Sequence, residues 1–399
     1  MKTTNQIALS QLQQPIVWIS VAALAAVYGS FTLSWVIYRV HLAGLVTQAG
    51  FSEAFAPVLL LIEAIVAIVI EPWAGWFSDQ IQQQKGTRFP IISLGVILSS
   101  ALFVAIPVGA PLVGSMRWII PSLLIAWAIT TNLFRCPALA LLRRYAPMSQ
   151  LPQAASLLTL MFGLVGAVAP FGNQLIKSLG APMTFVFAAI LTVMSAVWLK
   201  VSNPPIVSLE ENVDRSNQQV SIVHLALIFI TGLGVILAFR LAIETFPKLL
   251  TAQLDSIHPP MIIGAMFLTL AIAAFPAGKL AVYLGNTKTM LIGLGAVAVF
   301  LGLMPLVFSD SFALIVAIGL GIAFSLIING TLPFTLDLVF PKNTGLGVGL
   351  FFGGADAAHS LYAGVLNQSD RFSPMTAILA GIVALLIAGI CIIVSKPTH

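Results

Sequence analysis

Charge is what this chain has least of. Only 8% of its 399 residues are Asp, Glu, Lys or Arg, against about 25% in soluble proteins. Hydrophobic residues make up 59%, and the mean hydropathy is +1.03. So few charges cannot cover a globular surface in water, so most of the surface must face lipid. Cysteine is equally sparse. Cys136 and Cys391 both sit inside apolar runs, so they give no sign of a disulfide framework and read as buried apolar thiols. No clustered Cys/His spacing of the kind zinc needs occurs, so no metal site is expected. The chain has no Gly-x-Ser-x-Gly elbow and no Gly-x-x-x-x-Gly-Lys-[ST] phosphate loop. Enzymatic activity, a bound cofactor and ATP-driven work are therefore not expected.

What the sequence does have is apolar runs of membrane-spanning length, about 20 residues each. Twelve recur, at about 16–38, 54–77, 90–109, 118–142, 152–176, 182–200, 221–246, 260–283, 288–308, 312–339, 345–366 and 375–395. They are solidly apolar rather than alternating, so they read as helices and not as barrel strands. The expected fold is all-α and integral to the membrane. The first run is too long for a signal-peptide core and reads as a retained helix.

The net charge of +5 is a topology signal rather than a nucleic-acid footprint. Lys2, Lys85, Arg88, Arg143, Arg144, Lys200, Arg215, Lys279, Lys288, Lys342 and Lys396 flank the even-numbered connections and the termini. Arg39, Arg117, Lys177, Lys248 and Arg371 flank the odd-numbered ones. The positive-inside rule then puts both termini in the cytoplasm, as for a multi-pass protein of a bacterial inner membrane.

The one long hydrophilic stretch, 201–220, divides the chain into bundles at 1–200 and 221–399. The halves echo each other. Pro72 and Gly75 in span 2 correspond to Pro276 and Gly278 in span 8. Asn132 and Pro137 in span 4 correspond to Asn329 and Pro333 in span 10. Two six-helix halves joined by a cytoplasmic linker are the plan of major facilitator transporters, whose substrate site lies between the halves near the midplane.

Two short segments carry a closer resemblance. Pro72-x-x-Gly75-x-x-Ser78-Asp79, followed by Gly86-x-Arg88-x-Pro90, is similar to the P-x-x-G-x-x-S-D-R-T-R-S-R-x-G-R-R-R-P connection of the sucrose-transporter and glycoside–pentoside–hexuronide branch. Asn132 to Leu142 resembles that branch's N-x-x-x-x-P-x-x-A-L-L, and Pro333-Phe334-Thr335-Leu336 resembles its P-[FY]-A-L. The basic run is thinned here to glutamines, Lys85 and Arg88. Leu139 and Arg143–Arg144 stand where sucrose transporters carry an arginine and an aspartate. The resemblance implies a cation-coupled solute transporter. In melibiose-type permeases of that branch the acid directly before the span 2 proline helps bind the coupling cation, and Glu71 matches it. The companion acid one turn earlier is replaced by Ala67, which favours a proton over Na⁺.

An ionisable side chain at mid-bilayer costs about 2.5–3.5 kcal/mol or more, so each needs a role. Glu71, Glu63, Asp356 and His359 are candidates for proton coupling. Arg135 is the natural partner of Glu71 or Glu63, and with Asn132, Asn329, Trp35 and Tyr38 it is a candidate for substrate binding. Arg240 and Glu244 are i, i+4 on span 7 and can pair near the outer surface. Asp79 can pair with Lys85, Arg88 or a base on another loop. These five are the gating candidates, with a solvated topology anchor as the plain alternative. Asp356 and His359, three apart, can pair and relay protons. Gly345, Gly349 and Gly353 recur every four residues as a face for tight helix packing.

The expected function is alternating-access transport of a small organic solute, such as a glycoside, by a monomer in the bilayer. Two alternatives on the same scaffold are a non-transporting assembly or pigment-handling factor and an exporter of amphiphilic compounds.

Overall fold

With no water in the bilayer core, each crossing segment must satisfy its own backbone, and helices do so. The computed structural model describes residues 15–109, 117–204, 221–254, 258–366 and 373–395, and among these it contains helices and no strand. Most of the linker, Lys2, Arg215, Arg371 and Lys396 lie outside the described residues.

The chain begins with α1 (Trp18–Gln48), α2 (Phe55–Lys85), α3 (Phe89–Gly109) and α4 (Ile119–Leu139), the last trailed by a single turn at Leu142–Tyr145. A continuous element, Leu151–Val201, is broken at Gly180, whose φ of 77° and ψ of 162° only glycine adopts readily. Its arms, α5 (151–179) and α6 (181–201), are two crossings. Then follow α7 (Ile222–Gln253), α8 (Pro259–Leu284), α9 (Asn286–Leu303), α10 (Asp310–Asp337), α11 (Thr344–Leu361) and α12 (Pro374–Val394). By length and composition alone, 10 elements among the described residues could cross a membrane. Dividing Leu151–Val201 and adding the glycine-rich α11 completes the expected crossings. An even number brings the start of α1 and the end of α12 to one face, called here the termini face.

Helix ends differ from the hydropathy limits. The first run was expected to stop near residue 38, but α1 continues to Gln48, about 15 Å further at 1.5 Å per residue. Arg39 is therefore in a helix and not in a connection. Likewise the polar tail after residue 77 is mostly helical. α2 runs to Lys85 and stops at Gly86, whose φ of 70° makes it a left-handed C-terminal cap. A hydropathy window stops at polar residues even where they line the inside of a bundle rather than reach water.

Buried side chains form one core mainly from α1–α6 that takes in Leu332, Leu336 and Val348, and another mainly from α7–α12 that takes in Ala167. One includes Leu24, Phe134 and Leu158, another Phe239, Phe324 and Leu385. Glycines let the halves touch. A Cβ on Gly163 (α5) would reach within 2.7 Å of Ala271 N (α8). Cβ atoms on Gly75 (α2) or Gly345 (α11) would each run into the other's backbone.

Candidate functional site

Polar contacts between the halves gather at two levels. The first is the termini face. Gly86 turns the chain back so that Arg88 folds onto α2, donating to Ser78 Oγ at 2.6 Å and to Asp79 Oδ1 at 2.5 Å. Arg88 also reaches across to Thr344 Oγ1 at 2.7 Å. The first turn of any helix leaves N–H groups unpaired, and α11 has no capping side chain of its own. Asp79 supplies one from the other half, accepting from Gly345 N at 2.9 Å and Leu346 N at 2.8 Å. Its negative charge suits the positive end of the helix dipole. Asp79 and Arg88 are 1% and 2% exposed, so this ion pair is a sealed junction and not a surface ornament. Arg143 does the converse at the end of α10, donating to the carbonyls of Leu336 and Val339 at 2.5 and 2.9 Å.

The second level is mid-membrane. Arg135 on α4 pairs with Glu71 on α2, and with Asp356 on α11 at 3.2 Å. The Cys136 thiol donates to the second oxygen of Glu71. The guanidinium also lies over two rings, 4.9 Å from the centroid of Phe31 (α1) and 4.3 Å from that of Phe352 (α11). Four helices thus hold one cation, and the Asp356 and Phe352 contacts cross between the halves. Pro72 leaves the Ile68 carbonyl without its helical donor. The Gly349 and Gly353 stretch of α11 packs over this region, against Glu71, Pro72 and Ile68. With two carboxylates and one guanidinium, the triad carries one formal negative charge in excess.

Each remaining sequence candidate has a definite place. Glu63 is 3% exposed and accepts from the Tyr38 hydroxyl at 2.6 Å, while its Oε2 has no partner. Tyr38 is thereby engaged, and Trp35 packs against it and Trp127. Asn132 is buried. Asn329 is buried too, donating to the Ala274 carbonyl at 2.6 Å, so it ties α10 to α8. Arg240 and Glu244 pair at 2.8 Å. Glu244 also accepts from Tyr362, the first residue of a π-helical turn, Tyr362–Leu366. Lys85 is exposed, and Arg88 rather than Lys85 is the partner of Asp79. Asp356 turns to Arg135 and makes no hydrogen bond with His359, so the expected Asp–His pair does not form.

Sequence reasoning missed Arg143, Thr344 and Cys136. Arg143 read as a topology charge. Its one available signal was its place just past α4, where a long donor can reach the end of another helix. Thr344 and Cys136 gave no signal, because their partners lie on helices remote in sequence.

The profile of the Major Facilitator Superfamily matches residues 22–362. Among solved structures the chain is similar to a human organic anion transporter, at TM-score 0.69, with 12% identity over 95% of this chain and 100% of that one. It is also similar to a variant of the E. coli fucose:proton symporter, at TM-score 0.70, with 12% identity over 96% and 100%. A bacterial homologue of the iron transporter ferroportin, outward-facing with soaked iron, gives TM-score 0.70 and 16% identity over 95% and 99%. At such identities the likeness concerns the fold. No curated protein matches. A matched profile over most of the chain, on an all-helical multi-pass fold, settles the family: the chain belongs to the Major Facilitator Superfamily and is an integral membrane transporter, not an enzyme.

Proposed function

We propose that the protein is a secondary transporter that moves a small organic solute between its halves, coupled to protons. The observation that carries this is the Glu71–Arg135–Asp356 triad. It joins the halves at the midplane with one more carboxylate than cation. A proton that reaches Asp356, directly or by way of Glu71, removes the ion pair between α4 and α11 and lets the halves separate, which couples protonation to rocking. Hard cations seek several oxygen ligands, and both carboxylates already face a guanidinium, so Na⁺ fits less well. Glu63 is the second place for a proton.

The termini face is the cytoplasmic one on the charge distribution, in a bacterial inner membrane. The Asp79–Arg88 latch then closes the cytoplasmic side, as in an outward-facing state. A glycoside remains the substrate class implied by the resemblance in spans 2 and 4. Tyr38 and Asn329 are held by partners within their own halves, whereas Arg135 and Asp356 meet across the boundary and would be exposed to a solute when that pair opens.

The test uses purified protein in vesicles holding a pH-sensitive dye, with an inward proton gradient and a panel of sugars, organic acids and amino acids outside. Solute-dependent acidification of the lumen is expected, and Glu71→Gln abolishes it while solute exchange without a gradient survives. Solute flux with no accompanying proton movement in the parent protein would remove the coupling.

A further inference from the structure

Among the described residues, three arginines lie inside membrane-spanning helices with charged neighbours on other helices, and two of them are ion-paired. Arg135 has Glu71 and Asp356, and Arg240 has Glu244. Arg39 is the third. Among the described residues it has no carboxylate within ion-pair distance, and it is exposed. It sits nine residues before the end of α1, about 13 Å down the helix from that end. It lies within electrostatic reach of Arg240 and Glu244 on α7 and of Glu63 on α2, and Asp356 and His359 on α11 feel its charge. Its exposure is therefore to the space between the halves, on the side away from the latch.

Arg39 and Arg240, guanidiniums from opposite halves, lie within electrostatic reach of each other, with Glu244 beside Arg240 and Glu63, held by the Tyr38 hydroxyl, beside Arg39. Arg240 is further spread over the Tyr362 ring at 5.1 Å. Below them the wall turns aromatic. Phe31, Trp35 and Arg39 recur every four residues on one face of α1, and Phe352 faces Phe31 across Arg135. The mouth thus offers two guanidiniums with no carboxylate ion-paired to both, and the depth offers ring faces.

Resting on the transport reading above, we infer that the solute is a small organic anion, one carboxylate or sulfonate on an apolar or aromatic body. Its head bridges Arg39 and Arg240, and its body lies against Trp35. Binding draws the two halves together at this mouth, because one anion satisfies a cation from each.

The experiment is a thermal-unfolding screen of the detergent-purified full chain. Its panel holds aromatic and aliphatic monocarboxylates and sulfonates, each beside its uncharged amide, for instance phenylacetate with phenylacetamide and glucuronate with glucuronamide. At least one acid is expected to raise the unfolding temperature with saturation while its amide does not. Arg39→Gln then weakens that acid by about tenfold or more, Arg39→Lys weakens it less, and Lys177→Gln leaves it unchanged. Amides that stabilise as well as their acids, or an Arg39→Gln variant that binds the acid undiminished, would overturn the inference. If Arg39→Gln does not fold, the acid-against-amide comparison on the parent protein decides alone. Vesicle flux separates the two readings. Acid binding without any flux keeps the site and discards transport, whereas proton-coupled flux of uncharged solutes only keeps transport and discards the site.

Discussion

Asp79 on α2 caps a helix in the other half of the molecule, accepting the N–H of Leu346 on α11 at 2.8 Å. The consequence is conformational. Any motion that parts α2 from α11 at the termini face must strip a buried carboxylate of two backbone donors and uncap a helix in the same step. A hydrogen bond to a charged group contributes about 1.5–3 kcal/mol. Asp79→Asn keeps the shape and removes the charge, so the latched state should lose at least about tenfold in population, at 1.4 kcal/mol per decade. Spin labels at the exposed positions Gln84 and Tyr283, one per half at the same face, should report a longer-distance population in Asp79→Asn. An unchanged distance distribution would mean that the pair only anchors the loop.

The same helix pair gives a steric test. A Cβ on Gly349 would run into the backbone of Glu71 and Pro72, whereas one on Gly295 would meet nothing within 4 Å. Overpacking a tight contact costs about 1–3 kcal/mol. Alanine in place of an exposed helical glycine gains about 0.5–1 kcal/mol. Gly349→Ala should therefore lower the unfolding temperature and loosen the latch, and Gly295→Ala should raise the temperature slightly or leave it alone. Equal effects from the two would show that α2 and α11 do not pack as closely as described.

Much of this was readable before any coordinates, and the reason is the high cost of charge in lipid. That cost singled out Glu71, Glu63, Arg135 and Asp356, and it pointed to Arg135 as the partner of Glu71 or Glu63, of which Glu71 makes the pair. The apolar crossings were legible for the same reason, although dividing Leu151–Val201 takes the break at Gly180. What was not legible is rotation about helix axes. Asp356 and His359 are three apart and looked like a pair, but α11 turns Asp356 toward Arg135 in the other half. Nor does hydropathy distinguish a polar residue that has left the membrane from one lining the inside of a bundle. Hence Arg39 and Asp79 read as parts of connections although both lie in helices, and Arg143 reads as a topology charge although it holds the end of α10.

Arg135 is the keystone of the midplane, and its removal has a signed prediction. Arg135→Gln leaves two buried carboxylates facing each other with no cation. Breaking a buried pair by deleting one partner costs about 3–5 kcal/mol, so the variant should unfold at clearly lower temperature than the parent protein. Adding Glu71→Gln removes one of the stranded charges and should recover a good part of the loss. If the double variant is no more stable than Arg135→Gln alone, Glu71 is not held by this arginine. Arg135→Lys is a sharper probe of geometry. It keeps the charge but not the flat fork that lies between the Phe31 and Phe352 rings and reaches two carboxylates, so it should rescue only in part.

Glu63 is a different kind of buried carboxyl. Its one hydrogen bond comes from the Tyr38 hydroxyl, and its other oxygen has no partner. Tyr38→Phe strips the last donor while leaving the ring packed against Trp35 and Trp127. An unsatisfied buried polar group costs about 1–3 kcal/mol, so Tyr38→Phe alone should be destabilising by that amount. In a Glu63→Met background the hydroxyl has no carboxyl to serve, and the same substitution should cost little. The coupling energy across this double-mutant cycle should exceed the ~0.5 kcal/mol scatter expected of independent sites. Strict additivity would mean that the two groups do not meet in the protein. A strong coupling would leave Glu63 dependent on Tyr38 alone, so Tyr38→Phe should also shift the carboxylic-acid C=O stretch of Glu63 in the infrared. Glu63→Gln should delete that band, and Glu71→Gln should leave it in place.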